Sequence, residues 1–397
     1  MRHAETCHAK AQGRGTCMDL YSKLALIPRL LGCVLFLSFI PTFATASPFI
    51  NLNPDPELAS LQPVTSTQAT ATQAKAQAEP ANESLPALVL NFVPETTGDA
   101  KLHFTDVWER MRAGFAMPPL NTKEVAQSEA WYAARPELVT NIFQRSRYYL
   151  FHIVEEIEKR NMPMELALLP FIESGYDPFA LSSAQASGLW QFIPATGNRY
   201  KLQQNDNFDA RRDIIASTTA ALDYLEALHA QFGDWHLALA AYNWGENQVE
   251  RALERNRVRG LGADFASLSL PSETRSYVPK LMAVKQIVMS PESFRVALPT
   301  TPNLRYFSTV ARSTIVDLAQ AARLADMKLE EFKALNPAHN NGAMTVSAST
   351  PLLVPTDRAQ SFGERLDAYL LQEEQRRKTQ PGKSSGHAGQ TKRKPCC

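Results

Sequence analysis

The sequence predicts a mainly α-helical chain that ends in a small α+β module, and three observations predict it. Apolar residues recur at helical spacing through most of the stretch from Asp106 to Pro299. Beyond Pro299 the pattern breaks into short pieces of strand and helix length within 305–356. Both ends of the chain leave this regime, one for an apolar leader and a polar stretch, the other for a run rich in charge.

The leader comes first. Lys23 and Arg29 precede the apolar run from Leu30 to Ile40, and Ala44-Thr45-Ala46 follows before Ser47, which is the arrangement of a cleaved secretory signal over 1–46. The run is too short to span a membrane comfortably. Met18 offers a tidier start for such a signal. Leu30-Leu31-Gly32-Cys33 is a poor lipoprotein box, because the cysteine stands ahead of the apolar stretch it should follow. Residues 47–104 form an expected linker, and up to about Leu88 they are so rich in Ala, Thr, Gln, Ser and Pro that they cannot offset the entropy of ordering.

Helices then follow one another. Val107-Trp108 and Met111 share a helical face, as do Val139, Ile142 and Phe143 and then Ile153 and Ile157; Pro163 and Met164 open the helix that carries Glu173. From Asp213 to Phe232 the residues Leu222, Leu225, Leu228 and Phe232 line one side, and Gly233 stops the helix. Past Pro299 a strand-like piece leads to a helix through Ile315, Leu318 and Ala322, a second through Leu329, Phe332 and Leu335, and a closing strand Leu352-Leu353-Val354-Pro355. Residues 357–397 read as a charged, solvated tail.

The balance of 41 basic and 40 acidic residues leaves a formal net charge of +1, which argues against nucleic acid as the main partner. The five cysteines, Cys7, Cys17, Cys33, Cys396 and Cys397, all lie in the two ends, so neither a disulfide nor a metal framework holds the helical region. Asn205-Asp206-Asn207-Phe208-Asp209 lacks the glycine and closing Glu of a calcium loop, so Asp206 and Asp209 belong in a surface turn. No metal and no cofactor is expected.

One carboxylate stands out. Glu173 ends the otherwise apolar run Leu166 to Ile172, where loss of water disfavours its charged form and suits it to act as a general acid near neutral pH. Gly175 can end the helix and turn the carboxyl toward a cleft. The plain alternative is a buried acid paired with an arginine or a backbone amide. Asp177 is no obvious second acid, since Pro178 biases it toward an extended turn position.

Around Glu173-Ser174 the sequence places Asp177-Pro178, Ala180 and Ser182, then Ala186-Ser187-Gly188-Leu189-Trp190-Gln191-Phe192. Later come Ala240-Ala241-Tyr242-Asn243-Trp244-Gly245 and Glu273-Thr274-Arg275-Ser276-Tyr277-Val278-Pro279-Lys280. These ordered blocks resemble the family 1 lytic transglycosylases that cut peptidoglycan. Asn161 to Leu166, Asp209 to Asp213 and Ser217 to Leu222 match one branch of that family. The resemblance implies a lysozyme-like domain over 105–299 with a groove between helical lobes. It implies Glu173 as the single catalytic residue, with Ser174, Ser182 and Gln191 around the acid and Tyr242, Asn243, Glu273 and Tyr277 shaping the far side.

Each of these has a bland reading. Asn243 with Gly245 can be a helix interruption, Tyr277 a core aromatic, and Trp190 and Trp244 core or sugar-stacking residues alike. The residues 305–356 resemble a LysM module, with Arg312-Ser313-Thr314-Ile315 where Gly-Asp-Thr-Leu is usual, so glycan binding and a purely structural cap both stay open. The implied partner is the glycan strand of peptidoglycan, in the periplasm or cell envelope, with membrane association, outer membrane included, left open. A muramidase that uses water and an inactive wall-binding protein are the alternatives.

Overall fold

The computed structural model describes residues 104–379 apart from 341, 348 and 349, and these fall in one compact unit. The expected signal, nearly all of the expected linker and every cysteine lie outside the described residues. The architecture is mainly helical, followed by a small module with short antiparallel strands. No described helix is long and apolar enough to cross a membrane.

The helical body opens with α1 (Val107–Ala113), α2 (Lys123–Ala133), α3 (Pro136–Ser146) and α4 (Leu150–Lys159). Their apolar faces, including Val107, Trp108, Met111, Ile142, Phe143 and Ile153, are buried in one core, as their spacing predicts. The helix expected from Pro163 is a 3₁₀ stretch, Met164–Leu168, that passes into the short α5 (Leu169–Ser174). Pro170 lacks an N–H and is accommodated in the first turn of α5. Gly175 closes α5 in a left-handed conformation at φ 58°.

After α6 (Pro194–Arg199), α7 (Ile214–Phe232) runs from the Asp213 cap to Gly233 as the sequence predicts. The body is completed by α8 (Trp235–Trp244), α9 (Glu246–Val258) and α10 (Ser272–Met289). A short antiparallel bridge between Asp106 and Pro302, with Trp108 Nε1 donating to Pro299 O at 2.8 Å, ties the two ends of the body together.

The C-terminal module holds β1 (Phe307–Val310), β2 (Thr314–Asp317), α11 (Leu318–Leu324), α12 (Leu329–Leu335), β3 (Ala343–Val346) and β4 (Leu352–Pro355). β1 pairs with β4 and β2 with β3, both antiparallel. Ile315 thus sits in a strand, 68% exposed, and the helix begins only at Leu318, where Asp317 caps it. The expected solvated tail is helical over its first part. Residues 359–379 form α13 (Ala359–Thr379), whose Phe362 and Leu366 are buried in the module's own core. Two apolar anchors in a charged segment suffice to dock one helical face.

Candidate active site

Glu173 lies on the last turn of α5, is 1% exposed, and has neither arginine nor lysine paired with it among the described residues. The Tyr277 hydroxyl, from α10, donates to its Oε1, while Oε2 has no hydrogen-bond partner among the described residues. Burial pushes the carboxyl well above its ordinary range; the Tyr277 bond opposes this and the Glu273 charge adds to it. Burial likewise raises Tyr277, which stays a neutral donor. The contrast with Glu165, in the preceding 3₁₀ stretch, is direct. That equally buried carboxylate meets Lys285 Nζ at 2.7 Å and accepts from the Ala116 and Met117 amides at 3.0 and 2.9 Å, so it serves structure.

Gln191 arrives on a tight loop. Its backbone is left-handed at φ 48°, and its Nε2 donates to Gly188 O at 2.8 Å and Ala180 O at 3.2 Å, leaving Oε1 buried without a partner among the described residues. Tyr242 on α8 donates to Trp190 O at 2.9 Å and is close enough to Glu173 for its charge to be felt. Asn243 accepts from Thr274 Oγ1 at 2.7 Å and keeps Nδ2 unpartnered among the described residues. Buried polar atoms are normally satisfied; Glu173, Gln191 and Asn243 each keep one without a partner among the described residues, as do Thr122, Trp131, Tyr132, His152 and His236.

Other expected residues have structural duties. The Ser174 hydroxyl donates to Pro170 O and Leu189 O, and Ser182 Oγ accepts from the Ala186 amide, so both fix backbone near the acid. Trp190 is fully buried, with Nε1 on Thr218 Oγ1 at 3.0 Å, and Trp244 is partly buried against the same core. Asp177 accepts from the Phe179 amide at 2.9 Å as a turn former. Asp209 corrects the sequence reading, since it is buried instead of lying on a surface turn. Its carboxylate grips Arg211 at 2.9 and 2.7 Å, and Arg211 Nη1 donates to Gln185 O and Phe192 O, so this fork holds the loop bearing Gln191. Nothing short of the three-dimensional pairing reveals that clamp.

A cavity of about 590 Å³ lies elsewhere, at the junction with the C-terminal module, lined by Phe151, Pro302, Leu304, Tyr306, Arg147 and Arg305 among others; Glu173 is not part of it.

With this geometry in place, comparison with known proteins adds two family matches, the transglycosylase SLT domain over residues 152–261 and the lytic transglycosylase MltD, LysM-like domain over 306–370. The chain is 38% identical over 262 residues to membrane-bound lytic murein transglycosylase D of Escherichia coli (strain K12), a match covering 66% of this chain and 58% of that protein. A putative tributyltin chloride resistance protein of Alteromonas sp. (strain M-1) is 40% identical over 161 residues, covering 40% of this chain and 77% of that one. Membrane-bound lytic murein transglycosylase C of Glaesserella parasuis is 26% identical over 148 residues, 33% of this chain and 40% of that protein. The chain thus spans less than two thirds of the Escherichia coli relative it matches.

Proposed function

We propose, from the premise that the chain belongs to the transglycosylase SLT family and carries an MltD-type LysM-like domain after it, that it is a peptidoglycan lytic transglycosylase of the cell envelope. The observation that carries the reading is Glu173, a buried, unpaired carboxyl raised by desolvation and held by one neutral donor. Burial favours the protonated form of such a group, which can give its proton to a glycosidic oxygen. As the bond from the N-acetylmuramic acid anomeric carbon to that oxygen breaks, the same sugar's primary hydroxyl oxygen closes onto the carbon. Glu173 then takes the hydroxyl proton, so an anhydro ring forms and no water is consumed.

Gln191 Oε1 and Asn243 Nδ2 supply unsatisfied polar atoms for the sugars, Tyr277 holds the acid by its hydroxyl, and Tyr242 and Glu273 stand near enough for charge to act between them and Glu173. Ser174 and Ser182 support the site through the backbone they fix. A LysM-like domain follows the catalytic body at 306–370. Digestion of purified sacculi tests the reaction. The parent should release fragments ending in anhydromuramic acid, lighter by one water than hydrolytic ends, and Glu173→Gln should release none.

A second reading is favoured by one observation, the charge of Glu273 acting on Glu173. Two acids facing one bond are the equipment of a hydrolase that activates water. Fragments with reducing muramic acid ends, lost in Glu273→Gln, would establish that muramidase instead.

A further inference from the structure

Helix α10 carries a third charged group on the stripe that holds Tyr277. Glu273, Tyr277 and Lys280 recur at i, i+4 and i+7, so they lie along one stripe of the helix. Tyr277 fixes the direction of that stripe, because its hydroxyl reaches Glu173.

Lys280 is partly buried, yet it makes no hydrogen bond and no ion pair among the described residues, and Glu273 is the one charge acting on it. Burial pulls its ammonium below the ordinary lysine range, with Glu273 opposing. Lys285, further along α10, shows what a structural lysine looks like in this fold: it has Glu165 at 2.7 Å and Met117 O at 3.4 Å. A desolvated cation without such partners is costly unless an anion arrives to meet it.

We propose that Lys280 forms a subsite for the lactyl carboxylate of a muramyl residue that carries no peptide. The inference rests on the reading of the chain as a peptidoglycan-cleaving enzyme. The alternating sugars of the glycan differ in that substituent, and a shift by one sugar would present the wrong bond to Glu173. A cation on the same helix stripe as Tyr277 can read the substituent and so set the register.

The test uses the full chain with Glu173→Gln to prevent turnover, and measures binding of two peptide-free tetrasaccharides. One alternates N-acetylglucosamine with N-acetylmuramic acid, and the other is N-acetylglucosamine alone. Adding Lys280→Met should weaken the muramyl ligand by about tenfold or more, as expected for a lost charge-assisted contact. It should leave the neutral ligand unchanged, which also reports an intact fold, and Lys280→Arg should restore most of the loss. Equal loss for both ligands, or no loss for either, overturns the proposal. Sacculus cleavage by the otherwise unaltered chain is read separately, so failure here leaves the proposed reaction standing.

Discussion

Glu165 and Glu173 share one buried segment, but only the first is neutralised by a lysine and two amides. Burial therefore favours the protonated form of Glu173 in the fold more than in the unfolded chain. Because its folded pKa lies above the unfolded value of about 4.3, the stability it contributes is complete below that value and is lost as pH rises through the folded pKa. Glutamine is neutral at every pH, so Glu173→Gln should be more stable than the parent at pH 8 and nearly equal to it at pH 4. Thermal unfolding at the two values decides this, and a pH-independent difference would refute the assigned protonation. The same proton dictates activity, which should fall as pH rises and Glu173 ionises. Tyr277→Phe removes the bond that lowers the carboxyl's pKa, so the alkaline limb of the activity profile should move upward, a shift readable from turnover against pH. Motif order made Glu173 and Tyr277 legible as members of one set, but their hydrogen bond crosses 104 residues and no local pattern encodes it.

The loop and helix termini show the same division between local and non-local signals. Gly233 ends α7 at φ 67° with open space where a Cβ would stand, so Gly233→Ala meets only the left-handed backbone penalty, about 1–2 kcal/mol. Gly188 lies at φ 83° in the loop that carries Gln191, and a Cβ there would overlap the Arg211 carbonyl oxygen. Backbone cannot yield as a side-chain tip can, so Gly188→Ala should cost roughly 3 kcal/mol or more and displace Gln191, whose Nε2 donates to the Gly188 carbonyl. Urea unfolding of both variants measures the contrast; equal losses would mean that the Arg211 clamp is softer than its four hydrogen bonds to Asp209, Gln185 and Phe192 imply. The end of α7 was readable because a cap, a leucine face and a glycine follow one another in sequence. The 3₁₀ entry to α5, the strand at Ile315 and the helix α13 were not, since strand pairing with β3 and burial of Phe362 and Leu366 decide them.

At the scale of the whole molecule the C-terminal module is fastened to the helical body, and histidines sit in the seam. Tyr149 donates to Ala334 O at 3.0 Å, the Asp209 amide to Ala338 O at 2.8 Å, and the Asn340 amide to Asn207 O at 3.0 Å. His339 packs edge-on to Phe208 with centroids 5.2 Å apart, and His152 on α4 lies 5.4 Å from the Phe307 ring. Burial lowers both imidazoles to about 4; at His152 the nearby Glu155 and Glu156 oppose the shift while Lys159 and Arg305 reinforce it. A depressed histidine contributes stability that is complete above its unfolded pKa, about 6.5, and is lost as pH falls through the folded value. The seam should therefore weaken between pH 6.5 and 4. Phenylalanine at 339 preserves the ring contact and cannot take up a proton. His339→Phe should thus match the parent's melting temperature near pH 7.5 and exceed it by a margin that widens toward pH 4.5, and hydrogen exchange of residues 334–340 should slow in step. A margin that stays constant across that range would place the acid sensitivity outside the seam.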